Sequence, residues 1–399
     1  MTEQTVVILK RGREKSLLRH HPWIFSGAIQ QIKGTVHPGT TVAVMDMEHR
    51  HYGWGAYSPS SQIAIRMWSF DPQNNIDDNY FRSMIRRARD KRTPAPDEKG
   101  VSNMQRLIFS ESDNLPGLIV DRYADYLVVQ FLSTGADYHK DQIVAVLHDL
   151  YPDFNIYERS DEEVRNKEGL SLNAGVLIGK PPPLLLPVTE GDCQFWVDIQ
   201  HGHKTGFYID QSTNRQKIRK YVRGKEVLNC FSYTGGFAVA ALKAEAQRVI
   251  NIESSAVLLD ILQKNLELNR LDISRSENIT GDVFQVLRQF RDSERQFDVI
   301  ILDPPRFADS RRHIPKAARG YKDINWLACR LIKPGGILIT FSCSGAIKTD
   351  LFQKIVADAA QDAQRSVQMI QCLTQAVDHP VVLHFPESAY LKGLICRVW

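Results

Sequence analysis

The feature that most constrains this chain is a regular alternation of predicted strands and helices from Lys225 to the C-terminus. The strands are Glu226–Cys230, Arg248–Ile252, a strand near Ile279, Phe297–Leu302 and Ile337–Ser342. The helices are 237–246, 256–269, one from 283, one near 321–332 and one at about 349–363, and two final strands close the chain. Strands alternating with helices form right-handed βαβ units around a parallel sheet. An α/β, doubly wound (Rossmann-like) domain is predicted, with ligands beyond the carboxyl ends of its strands.

The pattern of the residues before this domain indicates two smaller domains. Residues 1–75 show short apolar runs broken by glycine and proline, which is typical of a small β-barrel. A basic helix at Asp78–Lys91 and a linker-like stretch at Arg92–Gly100 open a small α+β domain over residues 76–180. Three prolines at 181–183 mark the next boundary, and residues 181–399 complete the chain.

Composition excludes several classes of protein. The N-terminus has only a four-residue apolar run at Val6–Leu9 before basic residues, too short for a signal peptide. No apolar stretch is long enough to span a membrane, so a cytoplasmic protein is expected. The six cysteines are scattered without a Cys-x-x-Cys pair, which argues against metal binding and disulfides. The sequence does not indicate an oligomeric state.

A glycine turn and three acidic residues follow successive predicted strands. The turn Tyr233–Gly236 leads from a strand into a helix, where backbone amides can hold an anionic or nucleotide-like ligand. Glu253, Asp282 and Asp303 each follow a later strand. A tight turn needs glycine for steric reasons as well, and Asp282 could simply cap a helix. A dinucleotide site stays open, although the spacing G-x-G-x-x-G is missing.

This ordered series resembles the motifs of class I S-adenosylmethionine-dependent methyltransferases. The resemblance implies that Tyr233, Thr234, Gly235 and Gly236 lie against the methionine part of the cofactor. It implies further that Glu253 binds the ribose and that Asp282 faces the adenine. One position departs from the family: Asn229 stands where an acidic residue is usual.

The segment Gly202–Gln211 is dense in polar and aromatic residues and is expected to form a hairpin. It resembles a motif that precedes the methyltransferase domain of RNA cytosine-C5 methyltransferases. That resemblance places the Gln211 amide at the cofactor cleft. The alternative is an ordinary hairpin with a solvated Lys204.

Cys343 follows the predicted strand Ile337–Ser342, and Asp303 follows the strand before it. In the methyltransferase sheet these two strands are neighbours, so both side chains are expected to face one crevice. Carbon 5 of cytosine is a poor nucleophile, and attack of a thiolate at carbon 6 activates it. Cys343 and Asp303 are therefore the predicted catalytic residues. The alternative is a buried structural cysteine, the interpretation given to Cys193, Cys230, Cys329, Cys372 and Cys396.

The loop after Asp303 leaves other enzymes open. Many RNA cytosine-C5 methyltransferases have a second cysteine after the proline of this motif, whereas this chain has Pro305 and Arg306. The group that removes the carbon-5 proton is therefore unassigned. An amino-methyltransferase acting on an exocyclic nitrogen is the main competitor, with Arg306 standing where its aromatic residue would be. A non-catalytic RNA-binding assembly factor is the alternative outside enzymes.

Two groups of basic residues bear on nucleic-acid binding. The group from Arg306 to Lys322 adjoins the expected active site, so phosphate contacts are predicted there. The group from Arg215 to Lys225 is expected to be a solvated face. Residues 1–70 carry eight Lys and Arg against four Asp and Glu. This part resembles the PUA domain, an RNA-binding barrel.

Taken together, the chain resembles the bacterial ribosomal RNA large subunit methyltransferase I family over almost its whole length. The similar stretches are His21–Gly27, Asp198–Gly206, Asn229–Phe237 and Phe341–Gly345. The resemblance implies S-adenosylmethionine as cofactor, 23S ribosomal RNA as partner and 5-methylcytosine as product. It implies neither a metal nor a membrane.

Overall fold

The structure, a computed structural model, describes residues 5–92, 102–308 and 310–399. It divides into two compact units. The first comprises residues 1–191, 197–209 and 377–388, and the second comprises 192–196, 210–376 and 389–399. The linker-like stretch expected at Arg92–Gly100 lies, apart from Arg92, outside the described residues.

The first unit begins with a six-stranded sheet. Its strands are β1 (Val6–Leu9), β2 (Trp23–Phe25), β3 (Ile29–Lys33), β4 (Thr41–Met45), β5 (His51–Tyr57) and β6 (Ile63–Ser69), in the order β2-β6-β5-β4-β1-β3. A short helix, α1 (Lys15–Leu18), follows β1. Val42 and Val44 on β4 and Ile65 and Met67 on β6 are buried, as the alternating pattern requires. The predicted all-β start of the chain is confirmed.

The middle part of the first unit is an α+β layer, as expected. Its elements are α2 (Asp78–Asp90), β7 (Met104–Phe109), β8 (Leu118–Tyr123), β9 (Tyr126–Phe131), α3 (Thr134–Tyr138), α4 (Lys140–Leu150), β10 (Asn155–Arg159), α5 (Glu162–Lys167), β11 (Ala174–Ile178) and β12 (Leu186–Glu190). The sheet order is β11-β10-β9-β8-β7. Strand β7 was not predicted because Arg106 interrupts its apolar run. Arg106 is opposite Asp121 on β8, and the two side chains form an ion pair at 2.7 Å.

The prediction of a hairpin at Gly202–Gln211 is wrong. Residues 202–208 form turns, and Ile209–Gln211 is a 3-10 helix that leads directly into the next α-helix. The segment bonds to strand β8 instead of to a hairpin partner: Thr205 donates to Asp121 at 2.6 Å, and the backbone of Phe207 donates to the Tyr123 hydroxyl at 3.2 Å.

The second unit is a doubly wound α/β domain around a seven-stranded sheet. Its elements are β13 (Cys193–Val197), α6 (Ser212–Val222), β14 (Glu226–Cys230), α7 (Gly236–Lys243), β15 (Arg248–Glu253), α8 (Ala256–Leu268), β16 (Ser276–Thr280), α9 (Val283–Asp292), β17 (Phe297–Leu302), α10 (Ile314–Leu331), β18 (Ile332–Ser342), α11 (Thr349–Asp362), β19 (Val367–Thr374) and β20 (Lys392–Val398). The sheet order is β16-β15-β14-β17-β18-β20-β19. Strands β14 to β18 are parallel, and β20 is antiparallel to both of its neighbours. The predicted fold class is confirmed.

Two elements of this unit are longer than expected. Helix α10 begins at Ile314, seven residues before the predicted start. Pro315 lies in its first turn, where a backbone N–H has no partner within the helix, so proline is tolerated there. Strand β18 begins at Ile332, before the predicted start at Ile337. It includes Gly335, which interrupts the apolar pattern and has a φ of +80°. Among the residues that the structure describes, no helix is long and apolar enough to cross a membrane.

Candidate active site

The order of strands places the site between β14 and β17. Strand order reverses here, with β15 beside β14 and β18 beside β17. In open parallel sheets ligands bind beyond the carboxyl ends of the strands at such a reversal. The turn Tyr233–Gly236 follows β14, Glu253 ends β15 and Asp303 follows β17. Cys343 follows β18, so these predicted site residues belong to one edge of one sheet.

The glycine turn has an unusual backbone, in which the amides of Tyr233 and Gly235 donate to groups of the protein itself. Phe231, Tyr233 and Gly235 all have positive φ, of 59°, 49° and 83°. Turns of this kind direct successive N–H groups into a concavity that binds anions. Gly235 precedes α7, and a Cβ at this position would lie 2.4 Å from Cγ of Leu262. This glycine is therefore required by both its φ and its packing.

Glu253 is tied to this turn. Its Oε2 accepts a hydrogen bond from the Tyr233 backbone at 3.0 Å, and its Oε1 accepts from the Ser254 backbone at 2.8 Å. The side chain is half-buried. The carboxylate thus holds β15 and the turn together and keeps part of its surface available to a ligand hydroxyl.

Two hydroxyl groups in the turn fit a polar ligand. Ser232 Oγ and Thr234 Oγ1 are buried and have no hydrogen-bond partner in the part of the chain that the structure describes. Buried polar groups are nearly always hydrogen-bonded, so these two indicate contacts that a ligand completes. Together with the amides of the turn and the Glu253 carboxylate, they suit a ligand with ribose hydroxyls and a charged amino-acid part, such as S-adenosylmethionine.

Asp282 is exposed, and its carboxylate accepts a hydrogen bond from the Gln285 backbone at 3.0 Å. This contact makes it the N-terminal cap of α9. It lies beyond β16, two strands from the reversal point. The helix-cap interpretation therefore holds, and a role toward a ligand remains a prediction.

The departure at Asn229 has a structural explanation. Asn229, Asn251 and Asn278 lie opposite one another on β14, β15 and β16. Asn229 Nδ2 donates to Asn251 Oδ1 at 2.9 Å, and Asn251 Nδ2 donates to Asn278 Oδ1 at 3.0 Å. Asn229 is thus part of an asparagine ladder inside the sheet.

Asp303 lies in a polar cluster with residues from the start of α6. Gln211 Nε2 donates to Asp303 Oδ1 at 3.1 Å, and Asn214 Nδ2 donates to Gln211 Oε1 at 2.6 Å. Burial raises the pKa of Asp303 to about 7; the nearby Asp210 carboxylate adds to the rise, whereas Gln211 and Arg215 oppose it. Asp303 is therefore partly protonated near neutral pH and can both donate and accept a proton. The Gln211 amide, which was predicted to lie at the cofactor cleft, lies at this edge of the sheet, and its hydrogen-bond partner here is Asp303.

Asp210 belongs to the same cluster. Tyr390 donates to its Oδ2 at 2.5 Å, while its Oδ1 is buried with no hydrogen-bond partner among the described residues. Sequence reasoning did not single out Asp210, because the segment was expected to form a hairpin.

Cys343 lies beside the loop that follows Asp303. Its Sγ is 3.9 Å from the carbonyl oxygen of Pro304, so the thiol lies against the residue that follows Asp303. The thiol is partly exposed, in contrast to the buried Cys193, Cys230, Cys329 and Cys396. Burial raises the pKa of the Cys230 thiol and keeps it neutral. Cys372 was expected to be buried and is exposed on β19.

Lys392, which sequence reasoning missed, is the first residue of β20 and is 7% exposed. Its Nζ donates to the carbonyl oxygen of Ser344 at 2.6 Å. A lysine near the C-terminus carries no motif, and only the pairing of β20 with β18 brings it to the site.

The remainder of the loop after Asp303 faces in two directions. Arg306 is exposed, whereas Phe307 packs on Tyr321 with ring centroids 4.6 Å apart. Ser344 links the same residues, since its Oγ accepts from the Ala308 backbone at 3.2 Å and contacts Tyr321 Oη at 3.1 Å. Phe307 therefore fixes the loop to α10.

The two basic groups differ from each other. Arg312, Lys316 and Arg319 are exposed on and before α10, as phosphate contacts require, and Lys322 pairs with Asp362 at 2.7 Å. The prediction that the group from Arg215 to Lys225 forms a solvated face is wrong for Arg215. Arg215 is 2% exposed, with its guanidinium 6.0 Å from the centre of the Phe195 ring.

The sheet of the first unit carries an exposed aromatic and basic surface. Phe25 is half exposed, and Lys15 and Arg19 are exposed at α1. His20 stacks on Phe70 at 4.8 Å. Aromatic rings beside basic side chains suit single-stranded nucleic acid.

Among the described residues, no group of three or more His, Cys, Asp and Glu side chains is arranged to hold a metal ion.

Comparison with protein families gives two matches. Residues 7–70 match the PUA-like domain, and residues 175–397 match the S-adenosylmethionine-dependent methyltransferase family. The second match covers more than half of the chain and includes the glycine turn, Glu253, Asp303 and Cys343. The expected cofactor, S-adenosylmethionine, is confirmed at the level of the family.

A solved methyltransferase structure complexed with SAH aligns over 98% of this chain and 99% of its own, with a TM-score of 0.86 and 21% identity. A SAM-dependent methyltransferase from Streptococcus mutans aligns over the same shares with a TM-score of 0.84. At this identity the two structures show the fold.

Curated relatives are closer in sequence. Proteins named ribosomal RNA large subunit methyltransferase I from Escherichia coli and from Yersinia pestis are each 50% identical over 392 residues, which is 98% of this chain and 99% of the relative. This chain therefore belongs to the ribosomal RNA large subunit methyltransferase I family of S-adenosylmethionine-dependent methyltransferases.

Proposed function

We propose that this protein methylates carbon 5 of a cytosine in 23S ribosomal RNA through a covalent bond between Cys343 and carbon 6 of the base. The observation that carries the proposal is the 3.9 Å approach of Cys343 Sγ to the carbonyl oxygen of Pro304, directly after Asp303. A thiol and an acid that follow neighbouring strands at one edge of the sheet are the two groups that this reaction needs. The names of the relatives indicate ribosomal RNA of the large subunit as the substrate, and in bacteria this is 23S ribosomal RNA.

Each residue has a separate task in this reaction. Cys343, as thiolate, adds to carbon 6, and electron density moves toward carbon 5. S-adenosylmethionine supplies the electrophilic methyl group; carbon 5 afterwards loses its proton to a base that no residue is assigned to, and Cys343 leaves carbon 6 as thiolate. Asp303, with its pKa near 7, donates a hydrogen bond or proton at ring N3 and stabilises the charge that develops there. Gln211 holds the Asp303 carboxyl group in orientation.

We assign the cofactor contacts as the sequence predicts them. Tyr233, Thr234, Gly235 and Gly236 lie against the methionine part, and Glu253 accepts from the ribose hydroxyls. Asp282 faces the adenine from the end of β16. The half-buried position of Glu253 and the two buried hydroxyl groups of the turn support the first two assignments.

The first unit supplies RNA binding in this proposal. The PUA-like match at residues 7–70 and the basic, aromatic surface beside α1 support that role. The proposed division is a barrel at 1–75, a middle domain at 76–180 and a methyltransferase domain at 181–399. The protein works in the cytoplasm, where bacterial ribosomes are assembled.

An RNA that carries 5-fluorocytosine at the target tests the proposal. The fluorine cannot leave as a proton does, so the wild-type protein is expected to form a stable adduct that denaturing electrophoresis detects. Cys343→Ala is expected to bind cofactor and RNA, to form no adduct and to lose turnover. Cys372→Ala, which removes an exposed thiol on β19, is the matched control and is expected to behave as wild type.

The product also distinguishes this reaction from its competitors. Methylation by Cys343→Ala, or a methyl group on an exocyclic nitrogen, would give the assignment to an amino-methyltransferase. The packing of Phe307 on Tyr321 argues against that reaction, because this aromatic ring is used by the fold. Failure to bind S-adenosylmethionine in calorimetry would leave only an RNA-binding assembly factor.

A further inference from the structure

We propose that Lys392 is a positioning residue whose ammonium group keeps Cys343 in the thiolate form before substrate binds. This inference rests on the proposed function of Cys343 as nucleophile. It concerns the state of the free protein, so it can be tested without RNA or cofactor.

The sheet brings Lys392 to the thiol. Strand β20 runs antiparallel to β18, and Lys392 pairs with Ser342, the residue before Cys343. Its Nζ donates to the carbonyl oxygen of Ser344, the residue after Cys343, at 2.6 Å. The amine is therefore fixed to the backbone on one side of the cysteine while its stem lies beside the other.

The charges around this pair favour an ion pair. Cys343 and Arg306 are the charged groups that act on Lys392: the first raises its pKa and the second lowers it. Burial outweighs both, and the pKa of Lys392 falls to about 8. Near neutral pH the amine therefore remains largely protonated. A buried ammonium group needs a compensating negative charge, and the sulfur is the group that can supply one.

Among the described residues, Tyr321 on α10 is a further titratable group that acts on the thiol. Burial raises the pKa of its hydroxyl, which therefore stays neutral and contributes no cation. A cation beside a cysteine favours the thiolate. Because Lys392 is already an ammonium group, the proton that leaves Cys343 Sγ passes to solvent, and the sulfur electron pair forms the bond to carbon 6. When that bond breaks, the pair returns to sulfur, so the ion pair is regenerated.

The pH dependence of Cys343 alkylation tests this inference. Iodoacetamide labelling of the full-length protein is followed by peptide mass spectrometry between pH 5.5 and 9.5, with Cys372→Ser as background. The wild-type midpoint is expected below the ordinary thiol value of about 8.5. Lys392→Met is expected to raise the midpoint by about one pH unit, a tenfold change in the thiolate fraction at neutral pH. Lys392→Arg, which keeps the charge, is expected to stay near wild type.

A second lysine of the same sheet is the matched control. Lys333 on β18 contacts Asp298 at 3.2 Å, away from the carboxyl end of the strand, and Lys333→Met is expected to leave the midpoint unchanged. An unchanged midpoint in folded Lys392→Met would overturn the inference. If that variant does not fold, a wild-type midpoint at or above 8.5 overturns it, and a lower midpoint that Lys392→Arg retains supports it.

The outcomes stay separate from those of the proposed function. Turnover by Cys343→Ala would refute the nucleophile and leave the effect of Lys392 on thiol alkylation measurable. Retained adduct formation with an unshifted alkylation profile would refute only the role of Lys392.

Discussion

Asp303 has a folded-state pKa of about 7, whereas a solvated aspartate titrates near 3.8. The folded protein therefore binds a proton more tightly than the unfolded chain at this position. Stability contributed by the protonated form is present at low pH, falls as pH rises from about 4 to 7, and is absent above 7. Asp303, the proposed catalytic acid, thus destabilises the fold above pH 7.

Asp303→Asn removes this cost and keeps an oxygen for the Gln211 amide. The variant is expected to melt at a higher temperature than wild type at pH 8, with a smaller difference at pH 5. Thermal unfolding at the two pH values measures the change. Asp298→Asn, on the same strand but at its other end, is the control. Equal differences at both pH values would show that Asp303 has an ordinary pKa.

Glu253 is expected to carry much of the cofactor affinity. Glu253→Ala removes a charged acceptor from the ribose and from the Tyr233 backbone, so binding should weaken by about 1.5–3 kcal/mol. Asp282→Ala, at the exposed cap of α9, is expected to cost less. Calorimetric titration with S-adenosylhomocysteine gives both values. Unchanged affinity in folded Glu253→Ala would place the ribose elsewhere.

Gly235 and Gly224 separate backbone strain from packing. Both have positive φ, 83° and 66°, but a Cβ at Gly235 meets Leu262 whereas a Cβ at Gly224 meets nothing within 4 Å. Gly224→Ala is expected to cost about 1–2 kcal/mol, the strain of a left-handed residue. Gly235→Ala should cost more in denaturant unfolding and should also weaken cofactor binding. Equal costs would mean that Leu262 moves aside freely.

At the level of elements, the asparagine ladder explains why β14 lacks the acidic residue of its family. Asn229→Asp would place a carboxylate oxygen against the carbonyl oxygen of Asn251, and the Asn251 Nδ2 group already donates to Ser276 and Asn278 on the other side. The variant is expected to be less stable by about 1–3 kcal/mol, the cost of an unsatisfied buried polar group. It should not bind cofactor more tightly. A gain in affinity in the calorimeter would show that the acid is missing functionally.

The sequence predicted those elements whose signal is local. The boundaries of β14 and β17 are as expected, because both are short buried runs of apolar residues ended by polar ones. The cluster of Asp210, Gln211 and Asp303 was only partly foreseen, since a polar, aromatic segment fits a strand as well as a 3-10 helix. Lys392 was missed because the insertion of β20 between β18 and β19 is a long-range pairing.

At the scale of the whole molecule, RNA affinity is expected to depend on the first unit. The double variant Lys15→Glu, Arg19→Glu should weaken RNA binding and reduce the salt slope by about 0.7 for each lost single-strand phosphate contact. Filter binding across salt concentrations measures both. Lys264→Glu, Arg270→Glu, which changes two exposed residues at α8, is the control. Equal effects of the two double variants would leave only a general charge effect.

Residues 377–388 belong to the first unit although they are encoded near the end of the chain. Phe385 is buried and packs on Trp23 with ring centroids 4.8 Å apart, and Asp378 accepts from the Arg106 backbone at 3.0 Å. During synthesis from the N-terminus, the first unit therefore lacks these packing partners until almost the entire polypeptide has been translated. A premature stop after residue 376 would leave the first unit incomplete, although all of its earlier residues had been made.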